Sequence, residues 1–232
     1  MAFGMVGDIG VRSLFADLKR PAVNAFLTAV DTTMNSNTLL LKASADTPVT
    51  HANHREVLNS FLRDPLFHAM MLEADQERDW WMFHEAPWQT PDPSLTNSMD
   101  AGPWLVREDV PLTLNPLDEA GLLARLRWML CEAFSPYRTH LQEEHAQEII
   151  RAFLWEVCSA HSGSAAMQAG HKQWLSQGWS FAAVQPDFLP SSEYYTEEPC
   201  PELSYFDGGK SDTATFFYRG DVFLLLLTNG SP

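Results

Sequence analysis

Bases are scarce in this sequence. Fifteen Lys and Arg stand against thirty Asp and Glu, a formal net charge of -15 at pH 7. A chain so acidic repels the phosphate backbone, which argues against a direct reader of nucleic acid and for basic surfaces or small molecules as partners. Cysteine is nearly absent as well. Cys131, Cys158 and Cys200 are odd in number and far apart, unlike a secreted disulfide framework and in keeping with a reducing compartment. Long apolar runs are missing: the longest, Val222 to Leu227, has six residues, where a membrane span needs roughly twenty. The opening stretch "MAFGMVGDIGVRSLF" has no basic segment followed by a continuous apolar one, so no secretory signal is expected. The expectation is a soluble cytoplasmic chain with no membrane contact.

Catalytic motifs are also missing. Gly208-Gly209-Lys210-Ser211 resembles the end of a phosphate-binding loop, but that loop needs a glycine where Ser204 stands. Strand-forming residues follow Ser211, so no helix N-terminus is expected to receive a phosphate. The stretch reads as a turn before a hairpin, with Arg219-Gly220-Asp221 at the hairpin tip. Ser162-Gly163-Ser164 lacks the flanks of a nucleophile elbow. In "THLQEEHAQE", His140 and His145 are five residues apart and turned apart on a helix, where the metallopeptidase pattern needs four. That segment reads as a solvated helix face. His51 and His54, three apart with Glu56 nearby, could share a helix face, yet no third ligand is fixed by the sequence. Cys131 and Cys158 sit among apolar neighbours and read as buried, inert thiols, and the acids around Cys200 oppose a reactive thiolate there. The residues therefore call for no catalytic group, no metal and no cofactor, and no enzyme is expected.

What is present is enough apolar side chain for a core: 45% of residues are hydrophobic and 12% aromatic. A single domain over 1–232 accommodates it. Helical spacing of apolar residues marks 11–20, 21–30, 53–63, 117–134 and 164–177. Asp64-Pro65 and Ser135-Pro136 each read as a cap followed by a first-turn proline, opening helices to about 83 and 161. Residues 86–116 and 185–204 carry too many prolines for regular structure. The period then changes to strand: 213–218 and 222–228 flank a glycine-containing turn, and 180–184 adds a third strand. The architecture expected is α+β, a mainly helical body over about 8–178, a proline-rich loop over 185–204, and a small C-terminal antiparallel sheet built on a β-hairpin within 205–230.

The distribution of charge carries the functional expectation. From Gln173 to Gly209 there is no Lys or Arg, while Asp187, Glu193, Glu197, Glu198, Glu202 and Asp207 interleave with Tyr194 and Tyr195. A second acidic zone, Asp64 to Val106, holds Arg78 as its single base together with Trp80, Trp81, Trp88 and Trp104. Aromatics supply anchor area and carboxylates steer and pair with Lys or Arg, a combination suited to docking on a basic protein. The residues expected to bind the partner are Asp187, Glu193, Tyr194, Tyr195, Glu197, Glu198, Glu202 and Asp207. The class this suggests is a bacterial immunity or antitoxin-type inhibitor that occupies the basic cleft of a toxin. Two rival classes remain open: an enzyme whose scattered site gathers around His51, His54 and His84, and a structural or adaptor subunit of a phage or defence assembly.

Overall fold

A computed structural model describes residues 9–14, 18–78, 113–133, 135, 138–158, 178–185 and 213–230. Within them lie six strands and five helices, in the order β1 (Val11–Ser13), α1 (Pro21–Met34), β2 (Ser36–Ala45), α2 (His54–Arg63), α3 (Pro65–Arg78), β3 (Thr113–Leu117), α4 (Glu119–Cys131), α5 (Glu143–Cys158), β4 (Ser180–Gln185), β5 (Thr213–Arg219) and β6 (Val222–Gly230). The strands form one sheet, ordered β1-β2-β6-β5-β4-β3, in which every neighbouring pair is antiparallel. This corrects the expected fold. The sheet is not a small C-terminal appendage to a helical body; it gathers strands from the whole length of the chain.

The expected hairpin is there, and it is the middle of the sheet rather than the end. β5 and β6 pair through Arg219↔Val222 to Thr213↔Thr228 around Gly220, whose φ of +57° a glycine adopts without strain. On its other side β6 pairs with β2 from Ser44↔Val222 to Ser36↔Gly230. Registered residues share a face. One face therefore carries Phe223, Leu225 and Leu227 beside Ala43, Leu41 and Leu39, and beside Tyr218, Phe216 and Ala214. The other carries Leu224 and Leu226 beside Phe217 and Thr215. Both sets are buried, which requires cover on both sides.

α2 supplies one cover: the Phe61 ring lies 5.1 Å from that of Phe223 and 5.3 Å from that of Phe67 in α3. α4 reaches the opposite face. Its Arg125 Nε donates to Thr215 Oγ1 at 2.7 Å and its Nη2 to the Ala214 carbonyl at 3.1 Å and to Thr213 Oγ1. α1, α4 and α5 pack on one another on that side, with Phe26 and Phe153 stacked at 4.1 Å between α1 and α5. The result is three layers, helix, sheet and helix.

Local chemistry explains where most helices start. Pro21 opens α1, Asp64 Oδ1 accepts from Leu66 N at 2.8 Å ahead of α3, and Asp118 Oδ1 accepts from Gly121 N at 2.7 Å to cap α4. α1 ends on Asn35, which takes a left-handed conformation (φ 49°) and turns the chain directly into β2. Four local expectations fail. Residues 11–13 are strand rather than helix. β2 was not anticipated. Residues 113–117, counted within a proline-rich irregular stretch, form β3, whose Pro116 is tolerated because the strand is an edge. Finally, α5 starts at Glu143 and not at Ser135, because Arg138 has a φ of 54° that a helix cannot accommodate. The helix expected over 164–177 lies outside the described residues, and so does the loop expected over 185–204 apart from Gln185, which ends β4.

Cys158, at the end of α5, is 1% exposed, and burial pushes its thiol from an ordinary value of 9.0 up to about 12. A thiol pKa raised by folding means that the stability it contributes is complete below about pH 9 and is lost as pH climbs through about 12. Since the thiolate is the reactive form, an alkylating reagent at about pH 8 should leave Cys158 unmodified in the folded chain and label it after denaturation, as read by peptide mass. Labelling of the native chain at the rate of a free thiol would contradict this burial.

Candidate functional site

None of the eight acidic and aromatic residues assigned to partner binding falls within the described residues: Asp187, Glu193, Tyr194, Tyr195, Glu197, Glu198, Glu202 and Asp207 all lie between 186 and 212. His84 and the four tryptophans of the second acidic zone are outside them too. What the structure does assemble is a cluster around His51 and His54 at one end of the sheet.

The loop from β2 to α2 is held to the β5–β6 turn, since Ala45 N donates to the Asp221 carbonyl at 2.8 Å and Val49 N to the Gly220 carbonyl at 2.7 Å. Asn53 shapes the rest: its Oδ1 accepts from Thr50 N at 2.7 Å and Thr50 Oγ1 at 3.0 Å, and its Nδ2 donates to the Pro48 carbonyl at 2.9 Å. This loop sets His51 and His54 against Tyr218, the penultimate residue of β5. The three rings stand 5.7 to 5.8 Å apart, with His54 nearly parallel to Tyr218 and His51 perpendicular to both. His54 Nδ1 donates to the Thr50 carbonyl at 3.1 Å, because a carbonyl only accepts. That leaves Nε2 as its basic nitrogen. Burial lowers the His54 pKa, so His54 is neutral at neutral pH.

Tyr218 is 3% exposed, and burial raises its pKa, with a hydrogen bond from Ser180 opposing the shift. Its hydroxyl lies 2.9 Å from His51 Nδ1. His51 is exposed and borders a cleft of about 410 Å³. Asp118 and Glu119 at the start of α4, Pro116 and Leu117 of β3, and Trp179 line the rest together with the start of β4. Trp179 is held by its Nε1, which donates to the Cys158 carbonyl at 2.9 Å.

The other sequence candidates are placed apart. His140 lies ahead of α5, not on it, and its Nε2 bonds the Ala133 carbonyl; His145 is exposed beside Glu148. Among the described residues no group of three or more His, Cys, Asp or Glu is placed to hold a metal ion, and no helix is long and apolar enough to cross a membrane. A second cavity of about 530 Å³ opens between α1, α3 and β2. It has an apolar lining that includes Leu18, Leu27 and Leu40, and Lys19 and Arg20 at its rim are paired with Glu77 and Glu156. No family model, curated protein or solved structure matches this chain.

Sequence reasoning found the two histidines but missed Tyr218, Ser180 and the cleft. Tyr218 is 167 residues from His51, and only the strand register brings Ser180 beside it. The available clue was a single one: a lone tyrosine beside Phe216 and Phe217 near the end of a strand, whose hydroxyl needs a partner when buried.

Proposed function

We propose that this chain is a stoichiometric binding protein that docks on a basic protein partner, in the manner of a bacterial immunity or antitoxin-type inhibitor. The observation that supports it is how charge is disposed. Arg127 is bonded to Glu132 and Glu143, Lys19 to Glu77 and Arg20 to Glu156, while Arg125 is turned onto the sheet and Lys42 is 9% exposed. Arg12, Arg55, Arg138, Arg151 and Arg219 are exposed but belong to separate elements, while Asp118, Glu119, Glu144 and Glu148 face solvent on α4 and α5. With a net charge of -15, the field outside the molecule is negative and steers basic partners. The aromatic, base-free stretch from Asp187 to Asp207 is the segment proposed to carry recognition.

The test is capture of partners from the native host, followed by surface-plasmon kinetics at two salt concentrations. Reversing Glu197 and Glu198 to Lys is expected to reduce the association rate by at least about tenfold at low salt, with the difference narrowing as salt screens the charges. Replacing Tyr194 and Tyr195 by Ala is expected to act mainly on dissociation. Capture of no basic protein would sink the reading. A second reading, an enzyme with a scattered histidine-based site, is supported by the contact of the Tyr218 hydroxyl with His51 Nδ1 at the edge of a cleft. Stoichiometric metal in the purified protein would favour it over the first.

A further inference from the structure

Three threonines share one rung of the sheet. Thr38 of β2 and Thr213 of β5 are both registered against Thr228 of β6, on the face that Arg125 reaches from α4. None of the three is more than 2% exposed. A hydroxyl taken out of water costs free energy unless it is hydrogen-bonded. The outer two are provided for: Thr38 Oγ1 lies 3.1 Å from Ser36 Oγ, and Thr213 Oγ1 accepts from Arg125 Nη2. The middle one is not. Thr228 is fully buried, and among the described residues its Oγ1 meets no hydrogen-bond partner. Side chains opposite each other on a rung stand about 4.5–5.5 Å apart at Cβ, a gap that one water molecule spans. A buried water takes about two to four polar partners, and the rung offers three hydroxyls, each able to donate or accept. Room for it follows from side-chain length. The next rung carries Leu40 and Leu226, and a threonine reaches one bond less far than a leucine, so a helical layer resting on the leucines steps clear of the threonines.

We propose that Thr228 Oγ1, with Thr38 and Thr213 on either side, holds one buried water molecule that joins β2, β6 and β5 at this rung. The inference is independent of the docking reading. It gives the rung a role in setting register. Leu224 to Leu227 are alike enough for β6 to slip by two residues and still present leucine to both faces. Such a slip sets Leu226 against Thr38 and Thr213, which expels the water and leaves their hydroxyls facing an apolar side chain.

The test uses the full chain in water enriched in oxygen-17, whose magnetic relaxation dispersion counts long-lived internal waters and ignores exchanging hydroxyl protons. Thr228→Val keeps the shape of the side chain and removes only its hydroxyl. Its dispersion amplitude is expected to fall by the equivalent of one water. Its unfolding constant in urea is expected to rise about two- to tenfold, the worth of one net hydrogen bond. Thr228→Ser, which keeps the hydroxyl, is expected to retain the wild-type amplitude. Two results would overturn the site. Greater stability in Thr228→Val would mean that the hydroxyl has no partner at all. Lower stability with an unchanged amplitude would mean that Thr228 bonds a protein group directly. If Thr228→Val does not fold, the serine variant decides: loss of amplitude there also sinks the proposal.

Discussion

Leu225→Asp is expected to abolish the folded state. Leu225 is 1% exposed and sits in β6, with β2 on one side and β5 on the other. Its registered neighbours are Leu41 and Phe216, both buried, and the same face carries Phe223, against which Phe61 of α2 packs. No base on that face registers beside it, so the new carboxylate must be either buried without a partner or protonated far above its ordinary pKa. Either outcome costs several kcal/mol, and the lost leucine adds about 2–5 kcal/mol. A domain holds only about 5–15 kcal/mol in all. Loss of the cooperative transition in circular dichroism is the measurement. Leu225→Met, which keeps volume and polarity, is expected to cost less than about 1.5 kcal/mol. Leu123, 37% exposed on α4, is the control: Leu123→Asp should change stability by no more than about 0.5 kcal/mol. An unchanged melting temperature for Leu225→Asp would mean that β6 is not the centre of the sheet.

The same burial explains which parts of this fold the sequence conveyed. Helices announced themselves by a cap, as at Asp64-Pro65 before α3, or by an apolar face, as with Val57, Leu58, Phe61 and Leu62 along α2 and Leu122, Leu126 and Leu130 along α4. Strands showed where they were unusually rich in β-formers, as in β5 and β6. β2 did not, because nine of its ten residues are buried and the run "LLLKASA" has neither a strand's alternation nor a helix's stripe. β1, at three residues, is too short to carry a period, and β3 contains a proline that argues for irregular chain unless its edge position is known. The expected small sheet follows from these omissions: without β1, β2 and β3, only the C-terminal strands remain. The candidate site was legible only as the pair His51 and His54. Tyr218, Ser180, Asp118 and Trp179 reach it through the register of β3, β4 and β5, which is long-range information that no local pattern holds.

Phe153→Ala is expected to destabilise the chain by about 3–5 kcal/mol and to loosen the helical layer that supports the cleft. Phe153 is fully buried on α5 and stacks on Phe26 of α1 with ring centroids 4.1 Å apart and planes 15° from parallel. It is an aromatic contact that joins those two helices. Most of the loss is cavity and burial; the stacking itself contributes about 0.5–1.5 kcal/mol. A double-mutant cycle with Phe26→Ala isolates that share, because once one ring is gone the other has less to lose. Urea unfolding of the wild type, the two single variants and the double variant gives the four free energies. Strict additivity would mean that the rings do not touch. The consequence for the site runs through the end of the same helix. The Cys158 carbonyl that anchors the Trp179 indole is five residues beyond Phe153. A mobile α5 therefore frees the indole, and in Phe153→Ala the Trp179 indole resonance should broaden even though no residue of the cleft has changed.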